Sequence, residues 1–315
     1  MDPYTYDYWN ATFQRNKDAP VSHPGEYSTD LIASKAFGLL DEAVAADKPF
    51  FLSIAPIGPH SHMSGNRLSD GDLTPDIPQS AERHRHLFPG AKVPRTANFN
   101  PEDPSGGNWI RRQPKLTEEQ ISYNDDFYRG RLQALQAVDE LVDSLFDKLE
   151  DYSILDNTYV FYTSDNGFHI GQHRLQPGKE TGYEEDIHIP LIVRGPGVAK
   201  DASSSIVTAH IDLVPTFLSL AGAPLPPDLD GAPIPLNHDS SSTTTALAKR
   251  EHVNVEYWGW VLSEGKWGFN GGADRRIFNT TYKALRVVSD EYDLYYSVWC
   301  TNEHELYDMT VSVEV

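Results

Sequence analysis

With 315 residues, 39% of them hydrophobic and 11% aromatic, the chain can bury a substantial core as one large domain, alone or with a smaller companion. Twenty-six basic residues against 46 acidic ones leave a net charge of -20, a surface that repels a phosphate backbone and excludes nucleic acid as an expected partner. The single cysteine, Cys300, allows no intrachain disulfide and no cysteine-held zinc, and beside Trp299 it is expected to be a packed core residue.

The N-terminal Met1-Asp2-Pro3-Tyr4 lacks the basic-then-apolar order of a signal peptide, and no apolar run further on is long enough to cross a bilayer. Ile32, Ala36, Leu39, Ala43 and Ala46 recur at three- and four-residue steps and predict a helix over 27–46. Pro49-Phe50-Phe51-Leu52-Ser53-Ile54-Ala55 reads as a strand buried on both faces of a parallel sheet, stopped at Pro56 and followed by a loop that carries His60. From 63 to 115 no periodicity survives, which predicts a long irregular excursion of the kind that is usually functional or disordered.

A helix is predicted over 117–151, with Leu132, Leu135, Val138, Leu141, Leu145 and Leu149 in one stripe and a capping box in Thr117-Glu118-Glu119-Gln120. Further strands are predicted at 158–163, 187–193 and 205–208, and a helix at 213–220. Alternating strands and helices indicate an α/β domain with a mostly parallel sheet over 1–236. A proline-rich stretch and a serine/threonine run then resemble a linker. Beyond it, strands at 253–257, 282–288 and 294–299 without long helices predict a small antiparallel unit within 237–315.

Ligands of an open parallel sheet bind outside the carboxyl ends of its strands, and two such ends carry unusual polar residues. One delivers His60; the other delivers Ser164-Asp165-Asn166-Gly167-Phe168-His169, with Lys179 further along. Asp165 and Asn166 are adjacent hard-oxygen donors suited to Ca²⁺ or Mg²⁺, although Asp-Asn-Gly is also favoured turn composition. Taken singly, His60 also reads as an ordinary loop histidine and Lys179 as a surface lysine. His169 and His173, four residues apart, only suggest a zinc pair.

The whole set in order strongly resembles the sulfatase family, the formylglycine-dependent enzymes of the alkaline-phosphatase-like αβα fold. The resemblance runs through Pro49-Phe50-Phe51-Leu52, Pro59-His60, Asp139-Glu140-Leu141-Val142, Leu155-Asp156-Asn157-Thr158 and Thr163-Ser164-Asp165-Asn166-Gly167-Phe168-His169. It continues through Lys179, Pro190-Leu191-Ile192-Val193-Arg194-Gly195-Pro196-Gly197, His210-Ile211-Asp212-Leu213 and His304-Glu305-Leu306-Tyr307-Asp308, and is nearest to arylsulfatase-like and N-acetylglucosamine-6-sulfatase-like members.

The resemblance implies a sulfuric ester hydrolase acting on a sulfate-ester small molecule or a sulfated glycan. Asp165 and Asn166 would supply metal ligands for Ca²⁺ (or Mg²⁺), and Lys179 would contact the sulfate and the leaving oxygen. His60 would assist proton transfer, and His169 would line the substrate pocket. Secretory-pathway residence is likewise implied, with Asn10-Ala11-Thr12 and Asn279-Thr280-Thr281 as glycosylation sequons of a glycoprotein.

The family's Cys/Ser-x-Pro-x-Arg nucleophile segment is absent from the sequence, and Cys300 does not stand in for it. The sequence therefore reads as a fragment whose sheet is truncated at its N-terminal side and which is inactive alone. Two alternatives remain: a non-catalytic remnant that binds sulfated glycan, and a phosphoesterase of the same superfold.

Overall fold

The computed structural model describes residues 6–64, 74–236, 250–272 and 274–311. Near the start, β1 (Thr12–Phe13) and β2 (Val21–Ser22) form a short antiparallel pair, and α1 (Ser28–Ala45) comes next, where the apolar spacing predicted it. Residues 49–55 depart from expectation: they form no strand, and Phe51 is 73% exposed. An apolar run records that a segment can be buried; it does not say which strand will lie beside it.

The described parts of 63–115 are irregular, as expected, yet not loose. They carry β3 (His62–Ser64) and β4 (Thr74–Asp76), and they bury Val93, Trp109 and Ile110. Helix α2 (Glu118–Asp151) starts where its first turn can satisfy its own donors: Thr117 Oγ1 accepts from the Gln120 amide and Gln120 Oε1 from the Thr117 amide. Its packed face is set back from the leucine stripe. Phe127, Ala134, Ala137, Val138, Leu141 and Leu149 are buried, while Leu132, Leu135 and Leu145 are half-buried. Small residues at 134 and 137 let α2 approach Tyr8, Tyr27 and Ala81 closely. Arg83 joins the two long helices, bonding Asp30 on α1 at 2.7 Å and Glu140 on α2 at 2.5 Å.

The central sheet is represented among the described residues by β5 (Val160–Thr163) and β6 (Leu191–Arg194), which pair antiparallel with Val160 opposite Arg194. No parallel pairing occurs among the described residues, and 205–208 forms no strand. Strand direction is fixed by the neighbour, which apolarity does not report. The short α3 (Glu184–Ile187) and α4 (Leu213–Leu220) complete this part.

The expected antiparallel unit is present. It begins with β7 (His252–Tyr257), the pair β8 (Val261–Leu262) and β9 (Arg276–Ile277), β10 (Tyr282–Val288), β11 (Asp293–Trp299) and β12 (His304–Asp308). Four of these strands make one sheet in the order β12-β11-β10-β7, antiparallel throughout. Most of the serine/threonine linker, 237–249, lies outside the described residues.

This sheet does not stand apart. Trp109, Ile110, Leu175 and Tyr183 from the preceding part share one core with Phe269, Tyr282, Tyr295 and Trp299. Glu305 fastens the two: its buried carboxylate accepts from Tyr183 Oη (2.7 Å), Ser297 Oγ (2.7 Å), Trp299 Nε1 (2.6 Å) and Tyr307 Oη (2.8 Å). Cys300 is exposed rather than packed, because Trp299 takes the inward position at the end of β11 and the next residue turns to solvent.

Candidate functional site

Two expected site residues meet, and a third residue is what joins them. His60 comes after the turn at the end of the 49–59 segment; its carbonyl accepts from the buried Tyr8 hydroxyl at 2.6 Å, and its ring stacks on Tyr6 with centroids 4.2 Å apart. Lys179 is next to Gly178, whose backbone pairs with His169. Between them sits Glu264, from the loop after β8. Its Oε1 is 3.0 Å from Lys179 Nζ, and its Oε2 is 3.5 Å from His60 Nε2 and 3.1 Å from Ser61 Oγ.

The protonation of His60 is contested by its surroundings. Nδ1 faces the Ser61 carbonyl at 3.0 Å while Nε2 faces Glu264. A neutral ring has one N–H and serves one of these acceptors; an imidazolium serves both. Burial pushes the His60 pKa below the ordinary histidine range, and the Glu264 charge pulls it back up. Lys179 opposes the imidazolium too, and the net effect is a lowered pKa.

Other groups enclose the carboxylate. Arg131 of α2 donates to the Pro59 carbonyl at 3.2 Å and lies 4.1 Å over the Phe168 ring; burial lowers its pKa to about 10, leaving a cation behind the site at neutral pH. Glu180 accepts from the Leu262 amide at 2.8 Å, and burial, aided by the charge of Glu264, raises its pKa to about 7. Glu264, Ser61, Arg131 and Glu180 carry no signal in spacing or composition. Glu264 is 203 positions from Ser61, and only the folded chain relates them.

Asp165 and Asn166 end β5 in a turn built from their own groups. The exposed Asp165 accepts the Asn166 amide at 3.1 Å, and the Asn166 side chain donates to the Gly167 carbonyl at 2.6 Å. Glycine is required next: a Cβ on Gly167 would lie 1.9 Å from the Glu185 carbonyl oxygen. The turn chemistry is therefore realised, and both side chains still offer the hard oxygens that Ca²⁺ or Mg²⁺ takes. Among the described residues no three His, Cys, Asp or Glu side chains gather closely enough to hold a metal. The turn connects to the histidine through Phe168, which stacks on Phe127 and carries Arg131.

His169 is 1% exposed, so it lies beneath the site instead of lining an open pocket. Its Nδ1 is 3.0 Å from both oxygens of Asp186, and a Cβ on Gly178 would come within 3.1 Å of its Nε2. The Asp186 carboxylate also accepts from the Thr181 amide and hydroxyl at 2.9 and 2.6 Å. His169 and Asp186 thus fix the backbone on either side of Lys179.

The sulfatase family model matches residues 2–223. The chain is 44% identical to sulfatase ppz1 of Metarhizium majus over 99% of its own length and 65% of that protein's. It is 38% identical to an arylsulfatase of Volvox carteri (98% of this chain, 50% of that one). Against an N-acetylglucosamine-6-sulfatase of Bos taurus it is 33% identical (96% and 54%). The chain thus spans about half to two thirds of the length of these relatives.

Among solved structures, a complex with the substrate D-glucosamine-2-N,6-O-disulfate superposes with a TM-score of 0.73 at 21% identity, covering 98% of this chain and 68% of that one. A sulfatase-like protein from Bacteroides fragilis gives 0.63 at 21% identity, covering 98% and 58%. These neighbours share the alkaline-phosphatase-like α/β fold.

Proposed function

Because this chain belongs to the sulfatase family, we propose that it carries the sulfate-recognising half of a sulfuric ester hydrolase whose substrate is a sulfated sugar. One observation carries the reading: His60 and Lys179, far apart in sequence, are brought to opposite oxygens of one carboxylate. Their donors are spaced for an oxyanion, and both side chains are largely sheltered from water, where a charge contact acts strongly.

In this reading Lys179 holds a sulfate oxygen and the bridging oxygen, so that negative charge grows beside a fixed ammonium. His60, whose burial favours the neutral ring until an anion arrives beside it, passes a proton to the departing alcohol. Arg131 adds positive charge from behind, and His169 with Asp186 holds the Lys179 segment in place. Asp165 and Asn166 would hold a divalent cation, Ca²⁺ or Mg²⁺, whose charge offsets that of the sulfate oxygens. The formylglycine expected of the family has no Cys/Ser-x-Pro-x-Arg precursor in these 315 residues, and we expect no turnover from this chain alone. A secretory-pathway location belongs to the same proposal, and Asn279, exposed on the surface, is a reachable sequon.

The test is binding, with turnover as a control. D-glucosamine 2-N,6-O-disulfate titrated into the chain should shift the His60 ring resonances. Lys179→Ala and His60→Ala should each weaken binding about tenfold, the scale of one charge-assisted hydrogen bond. Equal affinity in both variants would remove the site. Parallel incubation with 4-nitrophenyl sulfate and 4-nitrophenyl phosphate should release nothing; phosphate-ester cleavage would favour a phosphoesterase.

A further inference from the structure

Two donors and a ring nitrogen converge on Glu264: the ammonium of Lys179, the hydroxyl of Ser61 and, at 3.5 Å, His60 Nε2. A carboxylate and a sulfate ester make the same demand on such donors, namely compact anionic oxygens that accept N–H and O–H bonds. We propose that Glu264 keeps the place of the sulfate: its carboxylate closes the anion subsite of His60, Ser61 and Lys179, and a sulfate ester enters by displacing it. This role for Glu264 rests on the assignment of His60 and Lys179 to the sulfate.

The geometry sets how this displacement works. Both Lys179 and Ser61 are already satisfied by Glu264, at 3.0 and 3.1 Å, so an arriving sulfate must take donors from it rather than find them idle. Two unit anions sharing those donors would stand within a few ångströms of each other in a sheltered place, an arrangement that like-charge repulsion disfavours. The surroundings already penalise a further negative charge, since Glu180 is pushed to about 7, chiefly by burial and in part by Glu264 itself.

The backbone at 264 is fastened: its amide donates to the Pro177 carbonyl at 2.8 Å, and Gly265 packs against the Pro177 ring. Displacement is therefore a side-chain swing. It frees the ammonium of Lys179 and the Nε2 face of His60 in one movement.

A permanent support would behave in the opposite way. If Glu264 merely props Lys179 and His60, removing its charge loosens both and weakens anion binding. If it keeps the anion's place, removing its charge strengthens anion binding. The sign of one measurement separates the two.

The full chain, Glu264→Gln and Glu264→Asp are titrated with sodium sulfate and with D-glucosamine 2-N,6-O-disulfate, read by calorimetry and by the His60 ring resonances. Glutamine keeps the shape and removes the charge; aspartate keeps the charge and withdraws it by one methylene. Glu264→Gln is expected to bind both probes about tenfold more tightly or better, with Glu264→Asp between it and the parent chain. Equal or weaker binding by Glu264→Gln, with His60 still responding in the parent chain, makes Glu264 a support and overturns the proposal alone. No His60 response to either probe in any of the three chains overturns the sulfate assignment as well. Should Glu264→Gln lose its thermal transition, Glu264→Asp decides with the same expected sign.

Discussion

Two sheets in this molecule are made of similar residues and end in opposite circumstances. In the C-terminal sheet Tyr282, Tyr295 and Trp299 are 3%, 3% and 2% exposed, and β10 and β11 each have a strand on both sides. Around β5, β6 and α4, Phe51 is 73% exposed, Ile192 61%, Val214 54% and Ile211 51%, and each strand has one partner among the described residues. The difference lies in what covers them. Exposed apolar residues in such numbers mark an interaction surface or an aggregation liability, whereas the C-terminal sheet is a finished core.

The largest effect is expected inside the finished core. Trp299→Ala should lower unfolding stability by about 3–5 kcal/mol, from the lost aromatic volume and from a donor stripped off Glu305. Urea unfolding reads this directly, and a loss under about 1 kcal/mol would erase the contrast between the two regions.

An intermediate effect should appear with pH, at the same core's edge. Burial, with His169 nearby, lowers the His173 pKa from 6.5 to about 4. The folded state thus holds this proton less tightly than the unfolded chain does. The contribution is whole above pH 6.5 and is lost as pH falls toward 4, by about 3 kcal/mol. Glu180 runs the other way: its pKa is raised from 4.5 to about 7, so its contribution is whole below pH 4.5 and lost as pH rises toward 7. Replacing His173 by glutamine should accordingly flatten the acid limb of the urea midpoint against pH; an unchanged limb would assign acid sensitivity elsewhere.

The smallest effect belongs to the open face. Ile192→Ser should change stability by no more than about 0.5 kcal/mol while reducing light scattering on concentration. A loss of several kcal/mol would mean that the face is covered in solution.

The same contrast explains what could be read from the chain itself. Helix α2 was legible because a capping box and a periodic apolar pattern both lie within the segment. Strands β10 and β11 were legible because alternation and β-branched or aromatic content are also local. Residues 49–55 misled, since burial of a strand depends on a neighbour that its own letters do not specify.

The site divides likewise. His60 and Lys179 stand in segments that resemble a family, and folding brings them together. Glu264, which joins them, sits in an unremarkable Ser-Glu-Gly, so nothing but tertiary packing reveals it. Asp165 and Asn166 were readable both as donors and as a turn, because both uses need the same residue types, and the turn is what their own backbone contacts realise.

Glu305 decides how this molecule can come apart. A protease cutting before His304 would take the acceptor away from Tyr183, Ser297 and Trp299 together, abandoning three polar hydrogens among aromatic rings. Tyr183 stands only four residues past Lys179, so such a nick reaches the Lys179 segment from the far edge of the sheet.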